Sequence, residues 1–161
     1  MKEDLVPYTG QKFDCKMCGE CCHCKMIPIS NGDMERIHRF NSDKEFMEFS
    51  TSINAPIIAR RDWDYGCIFL DDTKCSIHQY KPLICRLYPY AMYFSPIDEG
   101  DESGKRILPD GTKVYIYIDS SCPGVSATKT EEISKELIEL VIRIRIEQAL
   151  TRYYYDNYAS K

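Results

Sequence analysis

The chain has 161 residues, of which 43% are hydrophobic and 29% are charged, and its formal net charge at pH 7 is −4. This length and composition are typical of one domain with a core of ordinary size, so we expect a single domain over residues 1–161. The negative charge and the dispersed Lys and Arg residues argue against a nucleic-acid-binding face. No stretch approaches 18 apolar residues, so we expect no membrane span.

The N-terminal part combines an extended segment with a dense group of cysteines. Residues 1–14 are polar and predict an extended chain. Residues 15–24 then read Cys-Lys-Met-Cys-Gly-Glu-Cys-Cys-His-Cys, with five cysteines in ten positions. Packing does not explain such crowding, because the chemistry of a cysteine usually accounts for its retention. Thiolates at i, i+3 and i+6 can face one ion or one cluster, so the segment predicts a metal-thiolate site.

Short elements are predicted over the next forty residues. Residues 27–29 indicate an extended piece, and residues 30–33 indicate a turn that leads into a helix. Ser42 and Glu45 have the spacing of a capping box, which predicts a second short helix that includes Phe46, Met47 and Phe49. Pro56 is expected to end this helical stretch.

The central region predicts a mixture of strands and turns. Residues 66–70 indicate a short strand, followed by a hairpin-like turn at 71–74. Residues 77–85 indicate a helix of one to two turns that a proline interrupts. Residues 107–112 carry a strong turn signal in Pro-Asp-Gly. The β-branched and aromatic residues 114–118 then form the best predicted strand in the chain.

The C-terminal helix is the clearest element of the sequence. A capping box at residues 128–131 predicts its start, and the helix is expected to extend over about residues 128–152. Its stripe repeats at helical spacing and consists of Ile133, Leu137, Leu140, Val141, Ile144 and Gln148. The expected fold is therefore α+β: a loop-rich half organised by metal, a short hairpin or sheet, and a long C-terminal helix.

Four more cysteines follow the N-terminal group: Cys67, Cys75, Cys85 and Cys122. Disulfides would fit an exported chain with an even cysteine count. This chain has nine cysteines, an adjacent pair, and no apolar run at its N-terminus that would act as a signal peptide. We therefore expect a cytoplasmic protein whose thiols remain available as metal ligands. Because metal bonds would replace a core in the loop-rich half, metal binding should also stabilise its fold.

Thiolate ligands leave a metal site anionic, so nearby cations and backbone N–H groups are expected to face the sulfurs. The candidates by sequence proximity are Lys16, Lys25, Lys81 and Arg86. Arg86 is the strongest of them because it directly follows Cys85.

Together these residues resemble the YkgJ-type cysteine-cluster family, whose domain is described as a zinc- or iron-chelating CxxCxxCC domain. The resemblance covers about residues 13–124. The matching motifs are Cys15-x2-Cys18-Gly19-x-Cys21-Cys22, Cys67-Ile68-Phe69-Leu70, Cys75-x-Ile77-x3-Lys81-Pro82-x2-Cys85-Arg86-x-Tyr88-Pro89 and Cys122-Pro123-Gly124. The cysteine motif is also similar to that of flagellin lysine N-methylases, which are longer and are associated with an iron–sulfur cluster.

The resemblance implies eight metal ligands: Cys15, Cys18, Cys21, Cys22, Cys67, Cys75, Cys85 and Cys122. Cys24 lies outside the family pattern, so we expect it to be no obligate ligand. His78 stands where the family usually has Tyr, and we interpret it as a core substitute for that ring rather than as a ligand. His23 and His38 are interpreted as surface or packing residues.

The sequence does not decide between iron and zinc as the bound metal. An iron–sulfur cluster, of the 4Fe–4S type, suits the Cys-x2-Cys-x2-Cys spacing and is our preferred interpretation, whereas zinc would suit two tetrahedral sites of four thiolates. Three functions follow: a redox or electron-transfer protein or a component of a modification or maturation system; a structural two-zinc module for protein interaction; and a methylase-like, group-transfer component. We expect a protein partner, and the sequence identifies no catalytic residue and no substrate.

Overall fold

The computed structural model describes residues 4–23, 26–41, 45–129 and 133–158. Within these residues the fold is mixed α+β with a long C-terminal helix, which confirms the predicted class. Its strands and helices are β1 (Leu5–Pro7), β2 (Gln11–Phe13), α1 (Asn31–Phe40), β3 (Met47–Ser50), β4 (Ala55–Ile58), β5 (Leu70–Asp71), β6 (Lys74–Cys75), α2 (Leu83–Leu87), β7 (Tyr90–Tyr93), β8 (Lys105–Ile107), β9 (Lys113–Asp119), β10 (Val125–Lys129) and α3 (Lys135–Asn157). Short 3-10 turns lie at Glu20–Cys22 and His78–Tyr80.

The chain divides into two compact units, and each is described by itself. The first consists of Met1–Lys16 and Leu87–Ile142, and the second of Met17–Arg86 and Arg143–Lys161. Among the described residues, no helix is long and apolar enough to cross a membrane.

The first unit is built around β9, which is the strand predicted at 114–118. β7 pairs with one edge of β9, and β1 and β8 pair with its other edge, all antiparallel. Val114, Ile116 and Ile118 are fully buried, as β-branched residues in a central strand are expected to be. The predicted turn before this strand is present, because Gly111 at φ 83° closes the β8–β9 hairpin.

The second unit has a hydrophobic core of its own, formed by Cys22, Ile27, Ile29, Ile37, Phe46, Ile58, Cys67, Phe69, Leu70 and Ile77. The expectation that metal bonds replace a core in this half is therefore wrong. Aliphatic residues of the segment at 27–29, of α1 and of β4 supply that core.

α1 begins one residue after Ser30, whose hydroxyl accepts a hydrogen bond from the Asp33 N–H while the Asp33 carboxylate accepts one from the Ser30 N–H. The predicted helix is thus confirmed, and the four residues assigned to a turn include its capping box. Asp33 Oδ1 also accepts from the Leu83 N–H at 3.0 Å, so one buried carboxylate caps both α1 and α2.

Two helix predictions are wrong, and strand pairing explains both. Met47–Ser50 is strand β3 rather than a helix, and Pro56 lies within its partner β4 instead of ending a helix. The predicted cap at Ser42 lies outside the described residues.

Thr128 belongs to β10, which pairs with β2, so the predicted capping box at 128–131 does not start the last helix. α3 begins at Lys135, after the Ser134 hydroxyl accepts from the Leu137 N–H at 3.1 Å. Its predicted stripe is confirmed at Leu137, Val141 and Ile144, which are buried.

Candidate metal centre

Five cysteines come together in the second unit from four separate segments. Cys21 and Cys22 lie in the 3-10 turn at Glu20–Cys22, Cys67 precedes β5, Cys75 ends β6, and Cys85 lies in α2. Cys22 and Cys67 are buried, whereas the other three are half-buried. They pack around the core described above, so the site lies at the edge of that core.

The backbone conformation at Gly19 explains how the 3-10 turn that carries Cys21 and Cys22 packs against the β5–β6 hairpin. Gly19 adopts the left-handed conformation at φ 77°, and a Cβ there would lie 3.1 Å from the Thr73 carbonyl oxygen in the β5–β6 hairpin. Glycine is therefore needed both for the turn and for the close approach. The Cys67 N–H then donates to the Cys22 carbonyl at 2.7 Å, which joins the two cysteine segments directly.

The five thiols influence one another. Cys21, Cys67, Cys75 and Cys85 act on one another's pKa through their charges. Cys22 hydrogen-bonds to Cys21 and Cys67, and these two contacts raise its pKa first, with burial adding to them. Among the residues that the structure describes, no three His, Cys, Asp or Glu side chains are arranged so that they could hold a metal ion. The five thiols are thus neighbours, but they do not form a complete metal-coordination site.

Backbone N–H groups point at two of these sulfurs. The Phe69 N–H hydrogen-bonds to Cys67, and the Ile77 N–H hydrogen-bonds to Cys75, each from two residues further along the chain. Donation to sulfur favours the thiolate, which is the form that binds metal. The donor set therefore fits a soft metal centre, zinc or iron, in both its sulfur chemistry and its supporting hydrogen bonds.

The pKa values follow burial and these contacts. The hydrogen bond from Cys22 lowers the pKa of Cys67 to about 7 against the effect of burial, with help from the Phe69 N–H and the Arg60 charge. Burial raises the pKa of Cys75 and Cys85, and the neighbouring thiols raise that of Cys85 further.

The cations near the site differ from those predicted. The charge of Lys81 opposes the rise in the pKa of Cys75 and Cys85, as expected of a cation near these sulfurs. Arg86 instead donates to the Lys81 and Gln79 carbonyls at 3.2 and 3.1 Å, where it holds the turn before α2. Lys16 forms an ion pair with Asp14 at 2.6 Å.

Arg60 was missed by the sequence analysis, and it is brought to Cys67 by an isolated antiparallel bridge between the two residues. No local pattern around residue 60 signals this role. Lys25 and Cys24, which the sequence analysis considered, lie outside the described residues.

The other predicted ligands are placed differently. Cys18 is exposed in the second unit, while Cys15 and Cys122 belong to the first. The Asp14 N–H donates to the Gly124 carbonyl at 2.9 Å, so the segments that carry Cys15 and Cys122 run side by side. Cys122 is buried and contacts Tyr88, whose pKa is raised by burial and then by Cys122 and Asp119.

The histidines add no described ligand to the thiol set. His78 is exposed at the start of the 3-10 turn, so the interpretation of this residue as a core substitute for tyrosine is wrong. Tyr80, two residues later, packs on the Phe40 ring at 4.7 Å instead. His23 and His38 are exposed.

Comparison with known proteins bears on the cysteine pattern. Residues 14–123 match the model of the CxxCxxCC family, described as "Putative zinc- or iron-chelating domain". The match covers more than half of the chain, and the protein belongs to this family. The eight described cysteines are free thiols, in agreement with a metal-chelating role.

Two relatives from Methanocaldococcus jannaschii are similar to the chain. The uncharacterized protein MJ0939 is 24% identical over 144 residues, which is 84% of this chain and 45% of the relative. The uncharacterized protein MJ0661 is 31% identical over 92 residues, or 54% of this chain and 50% of the relative. The chain thus spans about half the length of the curated relatives that it matches. No solved structure matches it.

Proposed function

We propose that the protein holds an iron–sulfur cluster of the 4Fe–4S type on Cys21, Cys67, Cys75 and Cys85. The observation that carries this proposal is that Cys67 belongs to the core of the second unit and that Cys21, Cys75 and Cys85 pack against the same core. Four cysteines are the usual ligand set of such a cluster. The N–H donors of Phe69 and Ile77 support it, because hydrogen bonds to the sulfurs stabilise an anionic cluster.

The distribution of thiols favours one cluster over two zinc ions. Two tetrahedral zinc sites would divide the eight predicted ligands into two groups of four. Within the second unit, five of these cysteines lie at one core, which is one more than a single tetrahedral site takes and three fewer than two such sites need. A structural two-zinc module for protein interaction therefore remains the alternative.

We propose that the bound cluster serves redox chemistry, either in electron transfer or within a modification or maturation system. A bound cluster supplies reversible one-electron exchange. Cys21, Cys75 and Cys85 are half-buried, so the centre lies near the surface, where a docked protein partner can approach it closely. Lys81 and Arg60 would offset part of its negative charge. The methylase-like role stays a prediction from the cysteine motif alone.

The test is the composition of the protein after anaerobic purification from iron-replete cells. We expect about four iron atoms and four acid-labile sulfides per chain, as a 4Fe–4S cluster requires, with brown colour and broad visible absorption. Dithionite should bleach that absorption by reducing the cluster. Air should then either reoxidise the cluster, which restores the absorption, or degrade it, which destroys the absorption.

Stoichiometric zinc without sulfide under these conditions would reject the cluster and favour the two-zinc module. Loading the apo-protein with zinc and, separately, with iron and sulfide provides the matched comparison, because only a cluster site regains visible absorption.

A further inference from the structure

A cleft of about 510 Å³ lies within the first unit, and residues of β2, β7, β10 and the first turn of α3 form its walls. Its described lining residues all belong to that unit, whereas the four proposed metal ligands belong to the second. Pockets of roughly 300–1,000 Å³ that combine aromatic walls with a few polar groups are the usual binding sites of small molecules. The cleft has this size, and the proposed metal function does not account for it.

One wall of the cleft is aromatic. The Tyr90 ring contacts the Tyr8 ring at 5.3 Å and the Phe13 ring at 6.3 Å, measured between ring centroids, and both contacts are edge-on. Edge-to-face packing of this kind favours fixed ring positions. A planar or apolar group that enters the cleft therefore finds a preformed surface on this wall.

The Tyr8 hydroxyl is a polar group without a protein partner. Tyr8 is only 4% exposed, and its hydroxyl forms no hydrogen bond with any group that the structure describes. The oxygen is not completely enclosed by protein atoms, so it opens into the cleft that the ring lines. Buried phenols usually have a hydrogen-bond partner, and a ligand in the cleft would supply one.

A second hydroxyl lies beside it. The Tyr90 hydroxyl also forms no hydrogen bond within the part of the chain that the structure describes. Burial raises the pKa of Tyr90, and Tyr8 raises it further, because the two phenol groups are close together. The aromatic wall thus presents two neighbouring O–H donors to the cleft.

The charges that line the cleft favour an anion. Among its described lining residues three are charged, namely Lys12, Asp14 and Lys16. Lys16 and Asp14 form an ion pair at 2.6 Å and neutralise each other. Lys12 is exposed on β2 and has no ion-pair partner among the described residues, so its positive charge remains uncompensated.

The N-terminus of α3 adds to this polarity, because Ser134 and Leu137 line the cleft. The first N–H groups of a helix have no partner within it, and the helix dipole is positive at this end. The Ser134 hydroxyl accepts from the Leu137 N–H at 3.1 Å, so its own proton remains available for donation. Glu136 in the same turn is exposed and does not line the cleft.

We propose that this cleft binds a small organic anion, either a carboxylate or a phosphate ester, on the Tyr8 and Tyr90 hydroxyls and the Lys12 ammonium. Both head groups present negatively charged acceptor oxygens, which form strong hydrogen bonds with such donors. A ring or apolar body on the anion packs against the aromatic wall. The inference goes beyond the proposed metal function and does not depend on it.

The first test is calorimetric titration of the purified, metal-containing protein with phenyl phosphate and, separately, with benzoate. Each probe combines a ring with one anionic head group, and benzyl alcohol is the neutral comparison. We expect one anion per chain with a Kd of about 1 mM or tighter, which a ligand of roughly ten non-hydrogen atoms can reach. The affinity should fall as salt is added, because an exposed lysine contributes to it.

Binding of either anion supports the proposal and identifies the head group that the cleft prefers. If neither anion binds, the proposal is overturned. Benzyl alcohol that binds as tightly as the anions would also overturn it, because the hydroxyls and Lys12 would then not select for charge.

The second test locates the bound anion with two variants. Tyr8→Phe should weaken binding about tenfold, because it removes one hydrogen bond to a charged group and keeps the ring. Lys12→Met should weaken it about threefold, as expected for an exposed charge. Circular dichroism should match the wild type in both variants, since the Tyr8 hydroxyl and the Lys12 amine bond to no described group.

Two matched controls lie in the same unit but outside the cleft. Tyr93→Phe removes a hydroxyl from β7, where the Tyr93 ring packs against Tyr117 at 5.7 Å, and Lys113→Met removes an exposed lysine from β9. Both controls should bind the anion as the wild type does. Unchanged affinity in Tyr8→Phe and Lys12→Met would show that the anion binds elsewhere, which would overturn the proposal.

Discussion

Cys21 and Cys22 are adjacent in the chain but differ in burial. Cys21 is half-buried, whereas Cys22 is buried and hydrogen-bonds to Cys21 and Cys67. Cys22 is also part of the buried core, packed among aliphatic residues. In the cluster proposed above, Cys22 is therefore expected to act as a small apolar residue beside the four ligands, although the sequence resemblance implied that it is a ligand itself.

The first residue-scale prediction separates these roles. Cys85→Ser should lower metal affinity by more than the 10- to 100-fold that loss of a supporting residue typically costs, because it removes a ligand. Cys22→Ser should keep the metal content of the wild type while lowering stability, because it puts a hydroxyl in an apolar environment. Metal content per folded chain and the urea midpoint measure the two effects. Loss of metal from Cys22→Ser alone would make Cys22 a ligand.

The site could be predicted from the sequence only in part. Thiolate chemistry at i, i+3 and i+6 identified Cys21 and the metal-binding class, because the spacing is local. The grouping of Cys67, Cys75 and Cys85 depends on the β5–β6 hairpin and on α2, which no single spacing encodes. Arg60 lies opposite Cys67 because the turn at residues 61–66 brings the two residues into an antiparallel bridge, whereas direct adjacency to a cysteine pointed to Arg86 instead.

At the scale of elements, a capping motif in the sequence predicted a helix correctly only where the same residues do not form a strand. Ser30 and Asp33 form a capping box, and α1 follows it. The similar signal at residues 128–131 overlaps β10, whose residues Val125, Ser126 and Lys129 pair with β2. Thr128 lies in the irregularity between Ser126 and Lys129, where its N–H donates to the Ser126 hydroxyl at 3.1 Å. In the same way β4 pairs with Met47–Ser50. Strand pairing is a long-range effect, so propensity and caps do not reveal it.

A polar network connects α1, α2 and α3 inside the second unit. The Arg36 guanidinium contacts Asp33 at 2.6 Å and Glu147 at 2.9 Å, and the Ser30 hydroxyl donates to Glu147 at 2.7 Å. Asp33 also caps α2, which carries Cys85. The network thus fixes the helix that holds a proposed ligand relative to the other helices of its unit.

The element-scale prediction concerns acid stability. Burial raises the pKa of Glu147, but hydrogen bonds from Arg36, Ser30 and Arg143 outweigh it and lower the pKa from 4.5 to about 2. A lowered folded-state pKa contributes stability above about pH 4.5 that is lost as the pH falls toward 2. Glu147→Gln should therefore lower the free energy of unfolding at neutral pH and reduce its slope over this window, by at most about 1.4 kcal/mol per pH unit.

Urea unfolding at a series of pH values measures this slope. The matched control is Glu139→Gln on the same helix, whose carboxylate is 63% exposed and lies 3.6 Å from the Lys135 amine. An exposed pair of this kind contributes little, so the control should follow the wild-type curve. Equal slopes for Glu147→Gln and the wild type would show that the network does not stabilise the fold in this way.

At the scale of the whole molecule, two compact units differ in how they are held together. The first depends on the antiparallel sheet around β9, whose central residues are fully buried. The second combines an aliphatic core with a group of thiols at its edge. A metal bound there adds to a core that already exists, in contrast with small metal-dependent domains that unfold without their ion.

The last prediction follows from that difference and is measured by hydrogen exchange before and after metal removal. The turns that carry the thiols should lose protection, because hydrogen bonds such as Cys67 N–H to the Cys22 carbonyl and Leu70 N–H to the Cys67 carbonyl lie beside the metal site. Amides of α1 and of β9 should keep theirs, since Ile37 and Ile116 are fully buried in the apolar cores of their own units. Simultaneous loss of protection in β9 would instead mean that the metal supports the entire fold, and unchanged protection at residues 67–75 would mean that these thiols do not hold it.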